Sequence, residues 1–121
     1  MSVRGIRGAI TIAFDTKEEI LSATQELLLA ILAENPALAK EDIASVLFTT
    51  TRDVAAEFPA VAARTLGWSA VPMLCTQEIP VPGSLPKAIR VLLHWNTNKK
   101  QEEIKHIYLR DAKKLRPDIA S

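Results

Sequence analysis

Arg7, Arg90 and Tyr108 each stand inside a segment whose other residues read as buried strand, and Glu78 closes a fourth such segment. Taking a guanidinium out of water is costly unless an anion or several acceptors receive it. Few Asp or Glu residues lie near those strands. The simplest acceptor is therefore a small ligand that bears carboxylates and is gripped bidentately.

Each residue also has a plainer reading, and the residues alone leave both open. Arg7 fits an edge strand with its stem packed and its head in water. Arg90 is preceded by Ile89 and followed by Val91, Leu92 and Leu93, so neither face of its strand looks wet, and a structural ion pair with Glu78 is the alternative. Glu78 sits where strand ends present side chains to ligands, or where they are simply solvated. Tyr108 shares a strand face with His106, a polarity that suits a pocket, although a buried phenol with a bonded hydroxyl fits too. Cys75 shares a face with Gln77 by alternation and has no histidine in its motif, so it reads as a buried thiol rather than a nucleophile. His94 and His106 read as satisfied by neighbours.

No glycine-rich phosphate loop, GxSxG elbow or pair of carboxylates at strand ends occurs. Cys75, His94 and His106 give no metal-ligand spacing, so neither metal nor cofactor is expected. The chemistry left is one that dispenses with acid, base, nucleophile and metal. A pericyclic rearrangement of a dicarboxylate fits, because holding a compact conformer and placing a cation where negative charge develops both raise its rate.

These residues require a particular set of elements to position them. Val3 to Phe14 is β-branched and apolar, and predicts a strand covered on both faces, with Gly5 and Gly8 marking close approach or a bulge. Asp15-Thr16 ahead of Lys17, Glu18 and Glu19 starts a helix, and Ile20, Leu21, Thr24, Leu27, Leu28, Ile31 and Leu32 recur at helical spacing until Asn35-Pro36. After a short acidic turn at Glu41-Asp42, Ile43 to Thr51 predicts a second strand. Phe58 to Leu66 predicts a helix with Pro59 in its first turn and Gly67 at its end. Val71 to Ile79 predicts a third strand, with Pro72 as an edge or first-residue feature. Pro80 to Pro86 must be a loop, and Ala88 to Trp95 predicts a fourth strand. A polar turn spans Asn96 to Glu103, and Ile104 to Leu109 predicts a fifth strand, followed by a short helical or irregular tail. The order β, α, β, α, β, β, β predicts an α+β (mixed α/β) fold, with helices packed on one face of the sheet.

The chain has 121 residues, of which 48% are hydrophobic and 24% charged, which predicts one domain over residues 1–121. A net charge of +1, with no basic run interleaved with aromatics, argues against nucleic acid. No stretch approaches the roughly 20 apolar residues that cross a bilayer, so no membrane partner and a soluble, cytoplasmic protein are expected. A chain this small buries only about two thirds of its unfolded surface, which favours completing its core in an oligomer.

The segments RGIRGA at 4–9, FPAVAAR at 58–64, CTQE at 75–78, LPKAIRV at 85–91, HIYL at 106–109 and LRPD at 115–118 together resemble the monofunctional chorismate mutases of the small trimeric α/β class. The resemblance runs in order over essentially the whole chain. It implies a five-stranded mixed sheet with helices, three copies forming a homotrimeric pseudo-barrel with active sites between subunits. The implied reaction is the Claisen rearrangement of chorismate to prephenate, on the route to phenylalanine and tyrosine. It further implies that Arg90 directs its guanidinium at the ether oxygen of the breaking bond, that Arg7 binds a substrate carboxylate, that Glu78 accepts the ring hydroxyl and that Tyr108 completes the polar wall. Leu74, Cys75, Thr76 and Gln77 would line the substrate beside Glu78, with Cys75 in a packing or weak polar role. Phe58 and Arg64, with the residues around Met73 and Leu74, would reach the cleft from the adjacent subunit. Leu115 and Arg116 belong to a tail that closes over it. Two positions depart from some members: Val61 stands where a lysine occurs and Leu74 where a threonine occurs, so contacts made by those side chains are missing.

Two other functions use the same residues. A non-catalytic trimeric module would bind a small carboxylate metabolite with the same arginines. Alternatively, the charges would only set subunit register through interfacial ion pairs.

Overall fold

The computed structural model describes residues 1–115. β1 (Ser2–Thr11) leads into α1 (Lys17–Glu34), β2 (Ile43–Thr50), α2 (Ala60–Thr65), β3 (Met73–Gln77), β4 (Ala88–Thr97) and β5 (Ile107–Tyr108). The strands form one five-stranded sheet in the order β3-β2-β4-β1-β5. β4 lies antiparallel to both β1 and β2, while β2 with β3 and β1 with β5 run parallel, so the sheet is mixed.

Local chemistry sets the helices. The Thr16 hydroxyl accepts the Glu19 backbone N–H at 3.2 Å, capping α1, and Glu18 and Glu19 place negative charge at its positive end. Ile20, Ala23, Thr24, Leu27, Leu28 and Ile31 form the buried stripe. Gly67, at φ +93°, closes the turn after α2 in a conformation glycine takes without strain. Both helices cover the same face of the sheet, where Ile6, Ile10, Val46, Phe48, Ile89, Val91, Leu93 and Trp95 meet α1 and the Ala60 and Ala63 side of α2. A Cβ on Gly8 would lie 3.0 Å from Val91 Cγ1 and 3.1 Å from Ile31 Cδ1, so α1 packs directly on the β1 backbone.

Several boundaries differ from those expected. β1 stops at Thr11 rather than reaching Phe14, because the chain turns away to place the Asp15 carboxylate on the backbone N–H groups of Ala55 and Ala56. β5 is only two residues long. Before it, side chains replace strand pairing: Asn35 bonds both the N–H and the carbonyl of Lys105, and His106 Nδ1 accepts the Arg7 N–H. β4 runs two residues further, to Thr97, than its apolar run suggests.

β1 is covered on both faces only in its second half, where Ala9 and Thr11 on the far face are also buried. In the first half, Ile6 on the helix face is buried, but Val3 and Arg7 on the other face are exposed. β4 alternates in the same sense: Ile89, Val91, Leu93 and Trp95 are buried, while Arg90, Leu92 and His94 are only half-buried. The apolar character of both faces of β4 therefore reflects one face filled by the chain's own helices and one that a single chain leaves open.

Candidate active site

Strand register brings the charged residues together on that open face. Arg7 stands opposite Leu92, and Arg90 stands between Ala9 on one side and Thr49 on the other. Partners across a ladder share a face, so Arg7, Leu47, Thr49, Arg90 and Leu92 point the same way. Tyr108, paired with Ala9 in β5, joins them from the sheet edge, its ring buried with Ala9 and Ala112 and flanked by Leu85 and Leu115. Glu78 follows β3, and its N–H bonds the Thr50 carbonyl at 2.8 Å, which continues the β2–β3 pairing by one step and turns the side chain inward.

The result is an open hollow of about 180 Å³ lined by Arg7, Gly8, Leu47, Thr49, Glu78, Arg90, Val91, Leu92 and Tyr108. Its electrostatics centre on Arg90. The Nε of Arg90 is buried and has no hydrogen-bond partner among the described residues. The nearest carboxylate oxygen, Glu78 Oε2, lies 3.9 Å away, too far for a hydrogen bond. That oxygen instead accepts the Thr49 hydroxyl. An orphaned buried N–H on a permanent cation is costly, and an anion seated in the hollow would satisfy it.

The expectation of buried arginines needs correcting in one respect. Arg7 is exposed in a single chain, and Arg90 retains 41% of its side-chain surface, because no described residue covers this part of the face, although beside it Ala9 is buried under Tyr108 and Ala112. The plainer ion-pair reading of Arg90 with Glu78 is met only in part, at charge-pair distance without a hydrogen bond.

Other candidates stand apart from the hollow. Phe58, 64% exposed, lines a separate depression with Cys75, Thr76 and Gln77. Met73 and Cys75 pack against the helix-side core. Leu74 is 65% exposed near the outer edge of the open face, and Arg64 is exposed on α2. Leu115 packs beside Tyr108, and Arg116 lies outside the described residues. Thr49, Leu47 and Leu92 were not singled out by sequence. Only strand alternation from Arg90 and its cross-strand partners, which requires the register, reveals them.

No group of three or more His, Cys, Asp or Glu side chains suited to a metal occurs among the described residues, and no described helix is long and apolar enough to cross a membrane. Fold and hollow together define a small mixed-sheet domain with an arginine-centred hollow whose charge suits a compact anion. Comparison with known proteins narrows this class. The family model for chorismate mutase type I matches residues 3–119. The chain is 54% identical over 119 residues to chorismate mutase AroH of Thermus thermophilus, covering 98% of each protein. It is 46% identical over 121 residues to chorismate mutase AroH of Bacillus subtilis, covering 99% of this chain and 94% of that one. A solved chorismate mutase from Clostridium thermocellum superposes with a TM-score of 0.87 at 49% identity, covering 90% of this chain and 96% of that one. The chain belongs to the chorismate mutase type I family and is an isomerase of that family.

Proposed function

We propose that the hollow around Arg90 binds chorismate and rearranges it to prephenate, on the route to phenylalanine and tyrosine. The observation that carries this reading is a hollow lined by two guanidiniums, a carboxylate and a phenol, beneath which the Nε of Arg90 is buried without a partner among the described residues. A Claisen rearrangement breaks a C–O bond and forms a C–C bond in one step, with no proton to move. The protein therefore needs only to hold the compact conformer and to stabilise the charge that builds on the ether oxygen. Arg90 supplies that cation. Arg7 holds a carboxylate, Glu78 accepts the ring hydroxyl, and Tyr108 closes the polar wall.

A single chain provides part of this site. Ligand pockets commonly enclose about 300–1,000 Å³, and the hollow here is about 180 Å³ and open. The exposed Leu74 and half-buried Leu47 and Leu92 beside it suit a covering surface. In a homotrimer, Phe58, Arg64, Met73 and Leu74 of one copy would complete the cleft of the next, with Thr76, Gln77 and Cys75 supporting that edge. Leu115 and Arg116 would close it. The enzyme works in this assembly, without cofactor, in the cytoplasm.

The test is direct. Purified protein is expected to remove the ultraviolet absorbance of chorismate, with prephenate identified as product by NMR. Binding of chorismate without conversion would overturn the reading in favour of a metabolite-binding module.

A further inference from the structure

We propose that Thr49 is a positioning residue, whose hydroxyl holds the Glu78 carboxylate away from Arg90 and so keeps the Arg90 cation available to the ligand. The inference rests on the reading of Arg90 and Glu78 as site residues. Left to themselves, a guanidinium and a carboxylate on neighbouring positions close into a short, charge-assisted pair. Here they do not. Arg90 Nε is buried and unpartnered among the described residues while Glu78 Oε2, the nearest acid oxygen, stops 3.9 Å short of it.

The atom that holds this oxygen is Thr49 Oγ1, which donates to Glu78 Oε2. Thr49 is placed for the task by register, since it is the β2 residue directly opposite Arg90 on the open face. Glu78 is placed by its own N–H bond to the carbonyl of Thr50, the next residue. One strand thus anchors the backbone of Glu78 and aims its side chain. With Oε2 occupied, the Nε–H of Arg90 is kept for an incoming anion, and the second carboxylate oxygen remains an acceptor for a ligand hydroxyl. Thr49 acts through Glu78 and needs no contact with the reacting atoms.

Thr49→Val preserves shape and removes the donor, while Thr49→Ser preserves the donor. The crystal structure of Thr49→Val is expected to show Glu78 moved to hydrogen-bonding distance of Arg90 Nε, about 2.9 Å. Its kcat/KM for chorismate and its affinity for prephenate, read by calorimetry, are expected to fall about tenfold, the scale of one lost hydrogen bond to a charged group. Thr49→Ser should recover most of that loss. In a Glu78→Ala background, Thr49→Val should cost no further prephenate affinity, because the group it positions is gone. An equal loss with and without Glu78 would overturn the inference, as would a Thr49→Val structure in which Glu78 stays in place. If Glu78→Ala itself leaves turnover and affinity unchanged, the reading of the site fails and this inference with it. A damaging Glu78→Ala beside a harmless Thr49→Val defeats this inference alone.

Discussion

Arg7 and Arg90 carry the same charge on the same face of the sheet, yet the fold treats them differently. Arg90 sits on the central strand with its Nε buried beneath the hollow, whereas Arg7 is exposed beside it. A cation fixed by its surroundings stabilises developing charge more than one that must first be ordered, so the chemical step is assigned to Arg90 and the grip to Arg7. Arg7→Ala is therefore expected to raise KM about tenfold or more, with a smaller change in kcat, as loss of a charged hydrogen bond to the ground state does. Steady-state kinetics on chorismate separates the two parameters. A fall in kcat at constant KM would instead give Arg7 the role assigned here to Arg90.

At the scale of elements, the site depends on how closely α1 seats on the sheet. Gly8 is a point of close approach, with Val91 and the α1 residues Leu27 and Ile31 all within 3.0–3.2 Å of where a Cβ would stand. Gly8→Ala is expected to destabilise the fold by about 1–3 kcal/mol through overpacking, seen as a lowered Tm. An unchanged Tm would mean that α1 yields freely. The sequence offers close approach and a bulge as two readings of this glycine, and the unbroken β1–β4 register through Gly8 and Val91 decides for close approach. α1 itself was fully legible, because the Thr16 cap, the acidic first turn, the apolar stripe and the Asn35-Pro36 stop are all local signals. β5 was not, because its approach is held by Asn35 and His106 side chains rather than by a strand ladder. Thr49 was hidden for a related reason: in IASVLFTTT it is one of three successive threonines, and only the register against β4 shows which of them faces Arg90.

For the whole molecule, the proposed shared site turns on the open face. The apolar residues of β4 alternate onto two faces, and sequence periodicity does not tell a face filled by the chain's own helices from one awaiting another surface. Arg7, Glu78, Arg90 and Tyr108 meet within one chain, but Phe58, Arg64 and Leu74 lie outside their hollow, and in the proposed homotrimer a neighbouring copy would bring them near. Sedimentation is expected to give three times the mass of the 13.3 kDa chain. Specific activity should fall on dilution below the dissociation constant of the assembly. A fully active monomer would contradict the shared site.

In the proposed mechanism, rearrangement depends on the cation that Arg90 provides. The measurement that tests it most directly is kcat for chorismate in Arg90→Ala, made beside the wild type on samples with matched circular dichroism and sedimentation. Removing one preorganised donor to developing negative charge commonly costs about a hundred- to a thousandfold in rate. A fall of at least about a hundredfold in kcat is expected with fold and assembly intact, and an Arg90→Ala enzyme retaining near-normal kcat would rule Arg90 out as that cation.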